Sequence, residues 1–204
     1  MDQRTLPTPR LAPLPPEHTP ELSEQFNATK KRMGFIPNSV LIMQRSPAMV
    51  QAFGQMSAAI WNPAGTVDLK LKRLISHVAS RSAGCSYCMA HTAEGAAKLG
   101  VEQRKLDAVW EYQTSPLFDA AERAALDVAV DAGCVPNAVS DEMFAELRKH
   151  WTEEQIVEIV GVIAMFGFLN RWNDTFATPL EDDPLEFGQQ HLAASGWNAG
   201  KHLR

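Results

Sequence analysis

A chain of 204 residues with 45% hydrophobic and 21% charged side chains can bury the core of one domain, which excludes wholesale disorder. Its net charge of −5 and lack of any basic run exclude the positive footprint a phosphate backbone requires, so no nucleic-acid partner is expected. No apolar run suits a secretory leader, and three cysteines make no disulfide framework, so a cytoplasmic protein with no membrane partner is expected.

Residues 1–19 are proline-rich and read as an extended N-terminal arm, followed by a helical domain over 20–180 and a C-terminal tail over 181–204. Glu21–Met33 is a first helix closed by Gly34, and residues 34–38 form a turn that launches a second, short one. Ser46 followed by Pro47 opens a helix that runs to about Trp61 and is broken by Asn62-Pro63-Ala64-Gly65. Thr66 is placed as the cap of a helix carrying Leu71, Leu74, Ile75 and Val78 at helical spacing, interrupted at Ala83-Gly84. The next helix spans about Cys85 to Lys98 and closes at Leu99-Gly100. Three more follow at roughly 102–112, 120–132 and 140–150, the last capped by Ser140.

Thr152-Glu153-Glu154-Gln155 has the form of a capping box and opens a helix reaching about Thr175. Apolar residues cover almost every direction around its axis, which reads as burial on all sides in a core or a subunit interface, and a homo-oligomer is expected. No Asn-Gly or Asp-Gly hairpin turn occurs, and the Val-rich runs sit inside helical periodicity. The fold class is all-α.

Chemistry concentrates in Gly84-Cys85-Ser86-Tyr87-Cys88-Met89-Ala90-His91-Thr92. A Cys-x-x-Cys pair at a helix start puts both sulfurs on the first turn, where free backbone N–H groups and the helix dipole favour thiolate. His91 lies three residues beyond Cys88 on the same face, so an attacking thiol, a resolving thiol and an imidazole for the proton are combined. Zinc is the competing reading, with Cys134 or His77 as the fourth ligand, and a structural buried pair is another. Attachment of c-type haem would need His where Met89 stands. No metal and no cofactor are expected.

On this stretch, on the helix Leu69–Ser82 before it, and on Met33–Asn38 and Phe168–Thr175, the chain resembles the carboxymuconolactone decarboxylase and alkylhydroperoxidase D superfamily, in its peroxidase-related branch. The resemblance implies an alkylhydroperoxidase D-like helical bundle that assembles as a homo-oligomer. It also implies an antioxidant peroxidase that reduces hydroperoxides through a dithiol–disulfide cycle. Cys88 would be the cysteine oxidised by peroxide and Cys85 the one that resolves it, with an external thiol reductant restoring the pair. Two positions depart from the family pattern. Arg73 stands where the hydroperoxidases carry a relay Glu, and His91 follows the second cysteine by three residues instead of four.

Candidate replacements for the relay are His77, one turn from Arg73, then Glu94, one turn beyond His91, and Tyr87 between the cysteines. His77 also reads as a core histidine and Glu94 as a solvated surface acid, while Arg73 reads either as a positive charge that holds the thiolate or as an ordinary salt bridge. Cys134 reads as a core cysteine, and Asn170–Asp174 as a structural lock on the end of the long helix. Two other functions stay open. A lactone-acid decarboxylase is disfavoured by the cysteine pair, and a non-catalytic redox sensor would couple disulfide formation to assembly.

Overall fold

The structure is a computed structural model and describes residues 9–203. Ten α-helices occur among them: α1 (Ser23–Met33), α2 (Asn38–Met43), α3 (Pro47–Ile60), α4 (Leu69–Ser82), α5 (Ser86–Lys98), α6 (Gln103–Asp107), α7 (Ala120–Gly133), α8 (Asp141–His150), α9 (Glu153–Phe176) and α10 (Asp182–His191). No strand is present among the described residues, so the fold is all-α, as the periodicity implied.

Helix α4 is the centre of the bundle and packs against α5, α7 and α9. Its apolar stripe Leu71, Leu74, Ile75, Val78 and Ala79 is buried, which is where the 3.6-residue period pointed. Its cap is Asp68, whose carboxylate accepts from the N–H groups of Lys70 and Leu71, and not Thr66 as the sequence suggested. Thr66 is occupied elsewhere: its N–H and hydroxyl both donate to Glu158 Oε1 of α9, at 2.8 Å each. A smaller cluster of Leu22, Phe26, Val40, Met43 and Val50 holds the first three helices together.

Of the N-terminal arm, the first eight residues lie outside the described ones. The following stretch is pinned along the body: Arg10 N–H donates to Phe176 O at 3.0 Å, and Leu14 N–H donates to Leu41 O at 3.2 Å.

Within the single chain, helix α9 is buried on part of its circumference. Ile156, Ile159, Val162, Ile163 and Phe166 are in the core, but Val157 is 71% and Val160 41% exposed. An all-round apolar composition says that any side can be packed, and here the bundle occupies one. By length and composition alone α9 could cross a membrane, yet its inner face is packed on α4, α5 and α7.

Residues 181–203, read as a tail, fold back as α10 and two short 3-10 turns (Ala193–Ser195 and Gly200–His202), with α10 lying on α5. Leu180, Leu192, Trp197 and Ala199 enter the main core. Trp197 Nε1–H donates to Ser86 O at 3.0 Å, fastening this segment over the start of α5. The fit needs Gly188, because a Cβ there would lie 2.6 Å from the Trp197 ring. Gly188→Ala is therefore expected to destabilise the protein by about 1–3 kcal/mol through overpacking against a rigid indole. Urea denaturation measures it, and an unchanged midpoint would mean that the ring shifts freely.

Candidate active site

The junction of α4 and α5 sets up the cysteines. Gly84 turns the chain at φ 74°, a left-handed conformation suited to glycine, and Cys85 N–H then bonds Ser80 O at 3.1 Å. Cys85 becomes the N-cap of α5, its sulfur accepting from Cys88 N–H at 3.4 Å. Both thiols are free and buried.

They face different surroundings. Cys88 lies on the wall of a cavity of about 860 Å³ bounded by α1, α3, α4, α5 and α9, whereas Cys85 does not line it. Asn173 of α9, placed by sequence in a structural lock, reaches the same wall and donates from Nδ2 to Cys88 Sγ at 3.4 Å. Burial, followed by hydrogen bonding and charge repulsion from Cys85, pushes the Cys88 thiol well up, and the Asn173 amide opposes this. The helix start thus does not leave Cys88 a ready thiolate, because desolvation outweighs the dipole.

His91 also lines the cavity, but its bonded partner comes from a segment that sequence reasoning passed over. Its Nε2 lies 2.6 Å from Glu181 Oε2, and its ring stacks on Tyr87 with centroids 4.3 Å apart. Tyr87 OH donates to Glu181 Oε1 at 2.9 Å, and Asn38 N–H donates to the same oxygen. Burial pushes the Glu181 carboxyl up, but the charge and hydrogen bond of His91 and the Asn38 N–H outweigh it and hold it below the usual range. Burial and the Glu181 charge push the Tyr87 phenol well up, so it stays a neutral donor. The acids Glu181, Asp182 and Asp183 ahead of Pro184 are a helix-start signal that would have marked this segment as ordered.

Behind the cysteines lies a second group. The ligand atoms of Cys85, Asp174 and His202 are within 4.8 Å of one another. His202 Nδ1–H donates to Thr178 O at 2.8 Å, which leaves the Nε2 lone pair free of a hydrogen-bond donor. Burial pushes the imidazole pKa down, so the ring is held neutral beside the Cys85 sulfur. The same donor types suit a zinc ion, but they differ from the zinc set inferred from sequence, whose fourth-ligand candidates His77 and Cys134 are engaged elsewhere. Cys134 meets Ser82 Oγ at 3.0 Å instead.

His77 is a core residue. Thr92 gives its hydroxyl proton to Cys88 O at 2.7 Å, so His77 Nδ1–H donates to Thr92 Oγ1 at 2.9 Å. Burial lowers its pKa to about 3, and Trp110 stacks on it, so it is a neutral brace rather than a proton carrier at the cavity. Glu94 is no solvated acid: it is only 6% exposed, lines the cavity, and pairs with Lys98 at 2.7 Å. Arg73 lacks the salt bridge expected of it among the described residues. Its guanidinium lies over Trp61 at 4.0 Å, and its buried Nε–H has no acceptor.

Comparison with known proteins places these features in context. Residues 47–131 match the carboxymuconolactone decarboxylase family. The chain is similar to the debrominase Bmp8, at 34% identity and a TM-score of 0.82 over 88% of this chain and 96% of that one. A cysteine-to-alanine form of that debrominase, in complex with 2,3,4-tribromopyrrole, aligns at 33% identity and a TM-score of 0.81, over 93% of this chain and 99% of that one. A peroxidase-related protein of Silicibacter sp. TM1040 shares the fold at 21% identity and a TM-score of 0.73, over 90% of this chain and 96% of that one. Protein YdfG of Bacillus subtilis is 26% identical over 109 residues, 53% of this chain and 72% of that one.

Proposed function

The chain belongs to the carboxymuconolactone decarboxylase and alkylhydroperoxidase D superfamily, and from that premise we propose that it is a dithiol oxidoreductase reducing an organic hydroperoxide at Cys88. The observation that carries this reading is the division of labour between the cysteines: Cys88 on the cavity wall, Cys85 behind it and out of the cavity. In the first step Cys88 loses its proton and attacks the terminal oxygen of the hydroperoxide. The O–O bond breaks, an alcohol leaves with a proton, and Cys88 becomes a sulfenic acid. Cys85 then attacks that sulfur, water leaves, and a disulfide forms. An external thiol reductant supplies two electrons to reopen it.

The surrounding groups suit these steps. His91, which lines the cavity and is backed by Glu181, is an ionisable group that can take and return the proton. Asn173 donates to the Cys88 sulfur, an interaction that strengthens as negative charge develops there. His202 and Asp174, with ligand atoms within 4.8 Å of the Cys85 sulfur, are the groups beside it that would take its proton.

A second reading has a specific observation behind it, the similarity to a debrominase along nearly the whole chain. The same dithiol could reduce a carbon–bromine bond, exchanging bromine for hydrogen with release of bromide and formation of the same disulfide. One experiment addresses both. Reduced protein is mixed with cumene hydroperoxide, hydrogen peroxide or a bromopyrrole, and thiols, alcohol and bromide are followed. Two thiols lost per alcohol formed, faster with cumene hydroperoxide than with hydrogen peroxide, support the peroxidase. Bromide release without reaction toward peroxides supports dehalogenation, and thiol loss no faster than that of free cysteine sinks both.

A further inference from the structure

The cavity beside Cys88 is lined mainly by apolar side chains, among them Phe53, Trp61, Met165, Phe166 and Leu169. Into that wall the fold sets the guanidinium of Arg73. Arg73 makes no ion pair among the described residues, and its Nε–H is fully buried without an acceptor. Leaving a cation in an apolar wall without a partner is costly, and a fold keeps such a group where a ligand completes it. Trp61 covers the guanidinium at 4.0 Å, and the paired N–H donors of a guanidinium match a planar, two-oxygen acceptor.

The charges facing the space agree. Arg32, Arg73 and Lys98 line it, and the acid on the same wall, Glu94, is already held by Lys98 at 2.7 Å. His91 is likewise paired with Glu181. The cavity is therefore cationic although the chain as a whole carries −5.

We propose that this pocket binds hydrophobic organic acids, the carboxylate seated on Arg73 and the apolar body lying across the aromatic wall toward Cys88. The substrate class would then be carboxylated organic molecules, with the reducible group at the end away from the acid. This deepens the proposed reduction at Cys88 and rests on that reading for its chemistry. The binding itself is measured without turnover, so the two can fail separately.

The test is calorimetric titration of the reduced, full-length protein with octanoate and with octanol, which differ in charge but little in apolar body. Octanoate should bind saturably with one site per chain, and octanol about tenfold or more weakly, as expected for loss of a charge-assisted hydrogen bond. Arg73→Gln should bring octanoate down to the level of octanol and leave octanol unchanged, whereas Arg73→Lys should keep part of the preference. Added salt should weaken octanoate alone. Equal binding of the two probes by the natural protein, absence of octanoate binding, or an Arg73→Gln protein that binds octanoate as before would overturn the assignment. The comparison of the two probes on the unaltered chain decides the matter even where Arg73→Gln does not fold. A chain that binds octanoate but reduces no substrate would support the anion site and sink only the redox reading.

Discussion

Cys88→Ser is expected to lower turnover by more than about 10³-fold, the scale seen when a nucleophile is removed from a catalytic unit. Serine keeps the shape and the Asn173 contact, but its hydroxyl is a far weaker nucleophile than sulfur and cannot enter a disulfide. Cys85→Ser should behave differently. Cys88 still reaches the cavity, so one equivalent of oxidant should convert it to a sulfenic acid and the reaction should stop there. Trapping with dimedone and mass spectrometry reads the difference: labelling at Cys88 in the Cys85→Ser protein, and none at Cys85 in the Cys88→Ser protein. Turnover that survives Cys88→Ser, or dimedone on Cys85, would reverse the order of attack and make the cavity irrelevant to the chemistry.

The second large effect concerns stability. Lys72 is 1% exposed, and its ammonium is held by Glu158 Oε2 at 2.6 Å and by Ile60 O at 2.9 Å. Glu158 also accepts from Thr66 and Val67, so one carboxylate ties the loop before α4 to α9. Glu158→Ala removes the counter-charge and leaves the buried ammonium uncompensated, an expected loss of about 3 kcal/mol. That corresponds to a fall in Tm on the order of 10 °C for a chain of this size. Partial burial pushes the Glu158 carboxyl up, but Lys72 and the Thr66 and Val67 donors outweigh it and hold the pKa at about 2, below the ordinary 4.5. A folded pKa below the unfolded one means that this contribution is complete above pH 4.5 and is lost as pH falls toward 2. The natural protein should therefore lose stability relative to Glu158→Ala across that window. A Glu158→Ala protein that melts as the natural one does at neutral pH would show that Lys72 finds water or another acceptor.

Much of the scaffold is legible in the linear chain because it is governed by local rules. The apolar period of α4, the capping box of α9, the Gly34 stop and the cysteine helix each follow from spacing and cap chemistry within a few residues. The errors share another origin. Thr66 looked like a cap because nothing in sequence shows Glu158 arriving 92 residues later to engage it. Glu94 looks solvated because an acid near a lysine gives no sign of the burial it has on the cavity wall. His91 stands out in the sequence, but its partner Glu181 lies ninety residues away in what reads as a tail. Arg73 reads from sequence as a residue that would find a salt bridge, and its lack of an ion pair is a fact of three-dimensional packing alone. Cys88 illustrates the same limit in electrostatics. Its place at a helix start is visible in sequence, while the burial that reverses the sign of its shift is not.

The end of α9 links the two halves of the site mechanically. Ala177, a residue with a Cβ, takes φ 49° and ψ 48° there and reverses the chain into residues 178–181. Four residues before it, Asn173 holds the Cys88 sulfur; four residues after it, Glu181 holds His91. The amide and the carboxylate are thus the two arms of one short lever with its fulcrum at a single left-handed residue. Because α9 is packed in the bundle, the torsions of Ala177 set where Glu181 stands relative to Asn173, and with it the spacing between the group on Cys88 and the group on His91.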